Sequence, residues 1–335
     1  MQPLLIPANV IPTFYRGGGK IPAFRRDPSV DAGRPEDWVA SVTARFGDAP
    51  NGLSTLPDGR TLADAVAADP QGWTGRPDAD TTGLLVKLLD AGQRLPLHLH
   101  PSRSFAHEHL SDPHGKTEAW IIVDADPGAV VNFGFAQDVS AEQLDDWVQR
   151  QDVEAMLAAT NEIPVAAGDV WLCPAGVPHA IGAGILCVEL QEPTDFSIML
   201  EWRDLPLDPD SVFLGLDRDL ALQAVRREAV TPAELEQWRG QALSALPSGV
   251  PGGRRSLLPT AADEFFRAEQ LTPAGSALTL DPRFAVLVVD QGSGGLVLPD
   301  GTALELTAGQ TWVVPHAAGT LEVTGDVSVI RCTAG

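Results

Sequence analysis

Lysine is nearly absent from this chain: Lys20, Lys87 and Lys116 are the only three in 335 residues. Lysine and arginine together number 23 against 45 acidic residues, for a formal charge of −22. A surface so acidic repels phosphate backbones and anionic lipid, which argues against nucleic acid and membrane as partners. An anionic small molecule would need a local basic pocket. Cysteine is equally scarce. Cys173, Cys187 and Cys332 are odd in number and lack CxxC spacing, so neither a disulfide framework nor a zinc–cysteine site is indicated. Cys173 and Cys187 fall in apolar runs and read as buried thiols. No apolar run approaches the length of a membrane span, and Met1 is not followed by the basic and apolar stretches of a secretory leader. The expectation is a soluble, unprocessed, cytoplasmic protein.

What is present is ordinary for a globular chain long enough to bury a large core: 44% hydrophobic and 20% charged residues. Gly (32) and Pro (28) punctuate short runs rich in Val, Ile and Leu, the pattern of a β-sandwich or barrel. Strands are expected at 84–89, 119–123, 130–133, 169–173, 185–190, 284–289, 295–298 and 310–314. Two stretches break this rhythm. Ser140 and Gln143 form a capping-box pattern ahead of Leu144, Trp147 and Val148, which share a helix face. Thr231-Pro232-Ala233-Glu234 places a cap, a first-turn proline and an N3 carboxylate before Leu235 and Trp238. Asp217–Arg227 also reads as helical. A helical connector is therefore expected at 206–255, including the turn-rich Pro247–Gly253, between an N-terminal unit (1–205) and a C-terminal one (256–335).

The two units carry a weak repeat. Gly168-Asp-Val-Trp-Leu-Cys-Pro174 resembles Gly309-Gln-Thr-Trp-Val-Val-Pro315, and Trp120-Ile-Ile-Val-Asp124 resembles Val286-Leu-Val-Val-Asp290, each of the latter pair leading into a Gly-containing turn. A helical insertion at about 138–162 explains the longer spacing in the first copy.

Chemistry concentrates in that first copy. In His98-x-His100, strand alternation puts both imidazoles on one face. Glu118 opens another strand, and His179 ends Gly168-x5-Pro174-x-Gly176-x2-His179, just beyond a strand and tight turn. These spacings resemble the two cupin motifs, in which such residues converge inside a jelly-roll barrel. The fold expected is mainly β: two cupin barrels with a helical insertion and a helical connector. Three imidazoles and a carboxylate suit one divalent metal ion, Zn²⁺ first among them, and leave positions open for water or substrate. One such histidine would carry little weight; four ligands in two matching motifs carry much more. His107, His109 and His114 read as a solvated loop. In the second copy Phe284 and Thr320 stand where Glu118 and His179 would be, and His316 is out of register, so that barrel reads as structural.

Four segments extend the likeness: Pro96-Leu-His-Leu-His-Pro101, Gly115-Lys-Thr-Glu-Ala-Trp120, Cys173-Pro-Ala-Gly-Val-Pro-His-Ala180 and Glu189-Leu-Gln-Glu-Pro-Thr-Asp195. With Gly17-Gly18, Pro35-Glu36-Asp37-Trp38 and the lysine-bearing run Leu84–Asp90, the chain resembles the type I phosphomannose isomerases over nearly its whole length. The resemblance implies interconversion of mannose 6-phosphate and fructose 6-phosphate with a bound metal, usually zinc. It implies metal ligation by His100, Glu118 and His179, and by His98 where the family generally has glutamine. It implies proton transfer by Lys116, at the catalytic centre with His100, and substrate contacts from Lys87, Glu36 and Trp38. A lysine beside a cation loses proton affinity and can serve as a base in an enediol mechanism. One departure concerns the substrate: Met199 stands where the family places an arginine, and Ser102-Arg103 replaces an acidic pair. Arg203 or Arg103 could restore the charge. Isomerisation of another or an unphosphorylated sugar, a non-catalytic sugar-binding cupin and an Fe(II) oxygenase remain as alternatives.

Overall fold

The computed structural model describes residues 1–47, 50–209, 211–244 and 253–335. Its strands assemble into three antiparallel sheets. Two of them face each other as the N-terminal jelly roll. One has the order Val10–Ile11, Glu36–Val39, Leu85–Ala91, Ile185–Gln191, Glu118–Ala125, Val170–Cys173; the other runs Ile198–Met199, His98–Leu99, His179–Ile181, Val130–Phe135, Thr160–Pro164. Leu85–Ala91 and Ile185–Gln191 are buried at every position, which explains why they read as continuous apolar runs broken only by Lys87, Asp90, Glu189 and Gln191. The third sheet is the C-terminal cupin barrel, built on the long strands Ala285–Val297 and Leu321–Ala334. Its interior is filled by Leu287, Val289, Leu306 and Val329.

The two barrels are tied together from the start of the chain. Leu4–Leu5 pairs with Trp312 and Val313 of the C-terminal sheet. Arg25 donates to Thr311 Oγ1 at 2.6 Å and forms a buried ion pair with Asp37. One continuous cluster of buried side chains runs from Val86, Trp120 and Val188 to Phe266, Val286 and Ile330. Among the described residues, no helix is long and apolar enough to cross a membrane.

Three readings of the sequence need correction. The runs expected as separate strands at 284–289 and 295–298, with a turn between, form a single strand, Ala285–Val297. Its glycines serve close approach rather than turning: a Cβ on Gly294 would lie 2.0 Å from the Thr324 carbonyl oxygen. Asp217–Arg227 is helical only over Arg218–Ala221, continuing as a 3₁₀ turn to Ala224. The supposed loop bearing His107 and His109 is the helix Arg103–His109, capped by Ser102 accepting the Phe105 amide at 3.2 Å. Two other helices sit where expected: Ser140 caps Ala141–Arg150, and Thr231 and Glu234 form both halves of a capping box on Pro232–Trp238. Lys20–Arg25, Leu62–Ala68 and Pro70–Thr74 are helices the sequence reading did not anticipate. Trp238 packs on Phe133 of the first barrel, centroids 5.5 Å apart. The expected turn at Pro247–Gly253 lies, up to residue 252, outside the described residues.

Gly294→Ala is expected to destabilise the protein by about 1–3 kcal/mol, the usual cost of overpacking, read as a lower urea midpoint. An unchanged midpoint would show that the paired strands can part there without cost.

Candidate metal centre and adjoining cavity

The jelly roll brings the four expected ligands together from both of its sheets. His98 and His179 are direct cross-strand partners in one sheet, and His100 follows two residues after His98. Glu118 begins a strand of the facing sheet, opposite Cys173 and Gln191. The ring centroids of His98, His100 and His179 are 4.3–5.0 Å apart. All four residues are buried.

Backbone carbonyls set the orientation of every ring. Nδ1 of His98 bonds to Pro96 O at 2.9 Å, that of His100 to Phe196 O at 2.7 Å, and that of His179 to Val177 O at 2.9 Å. A carbonyl can only accept, so each Nδ1 donates and each Nε2 is left as a lone pair. His179 Nε2 is buried without a hydrogen-bond partner, yet it lies 3.1 Å from Glu118 Oε1. His100 Nε2 lies 2.8 Å from Glu118 Oε2. Lys116 meets the His100 lone pair, but the partnerless His179 lone pair facing a carboxylate oxygen at this distance calls for a cation between them. Burial lowers the His98 pKa well below the ordinary imidazole value, and the neighbouring His179 and His100 add to the effect. Burial and the Lys116 ammonium take His100 down to about 3. For Glu118, burial pushes upward, but Lys116, His100 and His179 hold it well below the carboxylate range. His98, His100 and Glu118 are thus held deprotonated, and with the His179 Nε2 they fit a divalent ion. Cys173 also lies near Glu118 and His179, but its sulfur faces His179 Nδ1 at 3.3 Å, and burial raises its thiol pKa well above the ordinary value.

Lys116 Nζ is 2.9 Å from His100 Nε2 and 3.1 Å from Glu118 Oε2. From there a cavity of about 180 Å³ opens, lined by Lys116, Glu118 and His98 at one end and by Glu36, Trp38 and Lys87 beyond. Register explains the grouping. Trp38, Lys87, Glu189 and Trp120 are successive cross-strand neighbours, so they share one face of the sheet, as do Glu36 and Glu118 two positions along their strands. Lys87 Nζ lies 3.3 Å from Glu36, 3.7 Å from Glu189 and 3.8 Å from Asp195, and 4.6 Å from the Trp38 ring centroid. Burial would lower the Lys87 pKa, but these three carboxylates raise it. Glu189 is pushed up to about 8 by burial and by Glu118. Glu36 accepts hydrogen bonds from Tyr15 Oη and, at 2.6 Å, from Trp38 Nε1.

Arg203 does not join the site. Its guanidinium bonds Glu154 at 2.5 Å and the Gln151 carbonyl at 3.1 Å on the helical insertion, and it does not line the cavity. Arg103 likewise pairs with Glu192 at 2.5 Å and lies over Phe265 of the C-terminal barrel. Met199 does line the cavity. Sequence reasoning missed Tyr15 and Arg45, and it gave no site role to Glu189 and Asp195 although both ends of the Glu189–Asp195 segment carried the family likeness.

No family model matches the chain. It is 32% identical over 198 residues to the mannose-6-phosphate isomerase of Streptococcus mutans, covering 58% of each protein. It is 25% identical over 294 residues to the probable mannose-6-phosphate isomerase GmuF of Bacillus subtilis, covering 87% of this chain and 86% of that one. Among solved structures, the mannose 6-phosphate isomerase of Bacillus subtilis superposes with a TM-score of 0.77 over 99% of both chains at 22% identity. A mannose 6-phosphate isomerase bound with zinc and yttrium gives 0.72 over 100% of both at 13% identity. At these identities the structural matches establish the shared fold.

A pH test bears on Glu189 in the metal-free protein. Its folded pKa, about 8, lies above the ordinary 4.5. Between these values the native state keeps a proton that the unfolded state has lost, so stability falls as pH rises. Glu189→Gln is expected to match wild type near pH 4 and to become progressively more stable than it toward pH 8. Parallel curves from denaturant titrations would show that Glu189 is ionised in the native state.

Proposed function

We propose that this chain is a member of the type I phosphomannose isomerase family, as its curated relatives and structural neighbours support, and that it is a metal-dependent aldose–ketose isomerase whose first substrate pair is mannose 6-phosphate and fructose 6-phosphate. The observation that carries the reading is the convergence of three inward Nε2 lone pairs and the ionised Glu118 beside Lys116, at the closed end of a cavity. His98, His100, Glu118 and His179 would hold the ion. Zinc suits the donor set, and a structural neighbour is bound with it. When bound, the ion supplies Lewis-acid stabilisation to the oxygen on which charge develops.

The remaining work falls to side chains. Isomerisation moves a proton between adjacent carbons through an enediol, so one group must take the proton and return it. Lys116 Nζ is placed for this, held by His100 and Glu118 at the cavity wall. Trp38 offers an apolar ring to one face of a sugar. Glu36 and Lys87 offer hydroxyl partners whose positions are fixed by Tyr15 and by the Glu189 and Asp195 carboxylates. The N-terminal unit, 1–205, carries the chemistry; the connector at 206–255 and the barrel at 256–335 support it. Isomerisation of an unphosphorylated sugar is the second reading, favoured by Met199 in the cavity wall and by the removal of Arg103 and Arg203 from it.

His179→Ala is expected to lose most of the roughly one divalent ion per chain that wild type retains after dialysis, measured by elemental analysis. Full occupancy would remove His179 as a ligand. Lys116→Met is expected to keep its metal while turnover of mannose 6-phosphate drops at least ~10²-fold, the scale of acid–base catalysis. Near-normal turnover by that variant would reject the proton-transfer role, and inert wild-type protein on both phosphorylated and free mannose would reject the isomerase reading.

A further inference from the structure

A sugar phosphate brings a dianion into a cavity that already contains Glu36, Glu118, Glu189 and Asp195. Some cation must meet it, and most cations near the site are already engaged. Lys87 faces three carboxylates, Lys116 bridges His100 and Glu118, and Arg103 and Arg203 lie outside the cavity on Glu192 and Glu154. Arg45 is different. It lines the same cavity, is only half-buried, and forms no ion pair with any carboxylate among the described residues. Its guanidinium spends one Nη1 bond on the Pro12 carbonyl, at 2.6 Å, which anchors the side chain and, among the described residues, commits one of its five N–H donors. Its backbone is pinned as well. The Arg45 amide donates to Asn51 O at 2.7 Å, and the next residue, Phe46, donates its amide to Asp195 Oδ2 at 3.3 Å while its ring meets Phe196 edge-on at 5.5 Å. The rim that carries Arg45 is therefore attached to the same Asp195 that faces Lys87.

Building on the isomerase reading, we propose that Arg45 is the specificity residue of this cavity and receives the phosphate monoester of the sugar, the charge that Met199 cannot supply. A planar guanidinium held at Nη1 by a carbonyl still presents its Nε–Nη2 edge, a fork suited to two phosphate oxygens. Phosphate sits at the end of the sugar away from the carbons that exchange the proton. That spacing suits a cation at the rim with Lys116 and the ligand set at the closed end.

The test compares wild type, Arg45→Met and Arg45→Lys as metal-loaded full-length proteins, with mannose 6-phosphate, free mannose and inorganic phosphate as probes. For Arg45→Met the ratio of kcat/KM on mannose 6-phosphate to that on mannose is expected to fall at least ~10-fold, the value of a charge-assisted hydrogen bond. The loss should appear in KM, and inhibition by inorganic phosphate should weaken in parallel. Arg45→Lys should recover part of the ratio, since it keeps the charge and loses the fork. An equal fall on both sugars would make Arg45 a structural rim residue, and no fall on the phosphosugar would place the phosphate elsewhere; either overturns the proposal. Calorimetry with inorganic phosphate separates this from failure of the reaction itself. Should wild type turn over no phosphosugar but bind phosphate through Arg45, the isomerase reading fails and the anion site stands. Should wild type bind no phosphate, the anion site fails.

Discussion

Glu118 is a carboxylate with 1% of its surface exposed, lying between two sheets and held ionised. Taking such a charge out of water costs several kcal/mol unless partners restore what water gave. Each oxygen therefore has a donor: Trp120 Nε1 at 2.9 Å on Oε1 and Lys116 Nζ at 3.1 Å on Oε2. His100 and His179 bring lone pairs rather than protons to the same two oxygens, because carbonyl partners hold their Nδ1 atoms. At His179 that choice leaves a buried lone pair unmatched, and a divalent cation would match it. The geometry of the rings, the ionisation of the carboxylate and the position of Lys116 all follow from this one buried charge.

Its influence extends along the sheet face. Burial, and after it Glu118, raises Glu189 to about 8, which lessens the negative charge of the row near neutral pH. Lys87 then answers chiefly Glu36 and Asp195. Without a metal the cavity retains a surplus of carboxylate, and the −22 overall charge offers an anion no long-range attraction. A dication on the four ligands reverses the local sign at the closed end, and Arg45 supplies positive charge at the mouth. An anionic substrate is then compatible with a strongly acidic protein because the positive field is confined to a few ångströms.

The parts of this arrangement legible in the sequence are those encoded by local spacing. Two histidines at i and i+2, a carboxylate opening a strand and a histidine after a Pro-x-Gly-x-Pro turn each specify a position on a strand, and the barrel closes the distances between them. Glu36, Trp38 and Lys87 were legible through resemblance and share a face because strands alternate. Arg203 was misplaced because proximity in sequence to Met199 says nothing about direction: the Gln151 carbonyl and Glu154 draw it onto the insertion. Arg45, Tyr15 and Asp195 reach the cavity through tertiary folding of loops, for which no periodicity exists. Gly292, Gly294 and Gly295 misled for a physical reason too. Glycine marks both turns and close backbone contacts, and only the partner strand at Thr324 tells them apart.

The C-terminal barrel, filled by apolar side chains and apart from the ligand set, still reaches the site through a short chain of bonds. Phe265 lies 4.5 Å from the Arg103 guanidinium, and the Glu264 carbonyl accepts from Arg103 Nη2 at 3.2 Å. Arg103 in turn fixes Glu192 through Oε1, and Glu192 Oε2 accepts the Thr117 amide at 3.0 Å. Thr117 is the residue between Lys116 and Glu118. Lys116 is held at its own amide by the Pro101 carbonyl at 3.0 Å, one residue before the cap of the helix that carries Arg103. The backbone on which Lys116 and the central carboxylate stand is thus clamped from two sides, and one clamp originates in the second barrel. The contacts of Phe265 and Glu264 with Arg103 thus connect the second barrel, through the Arg103–Glu192 ion pair, to the amide between Lys116 and Glu118.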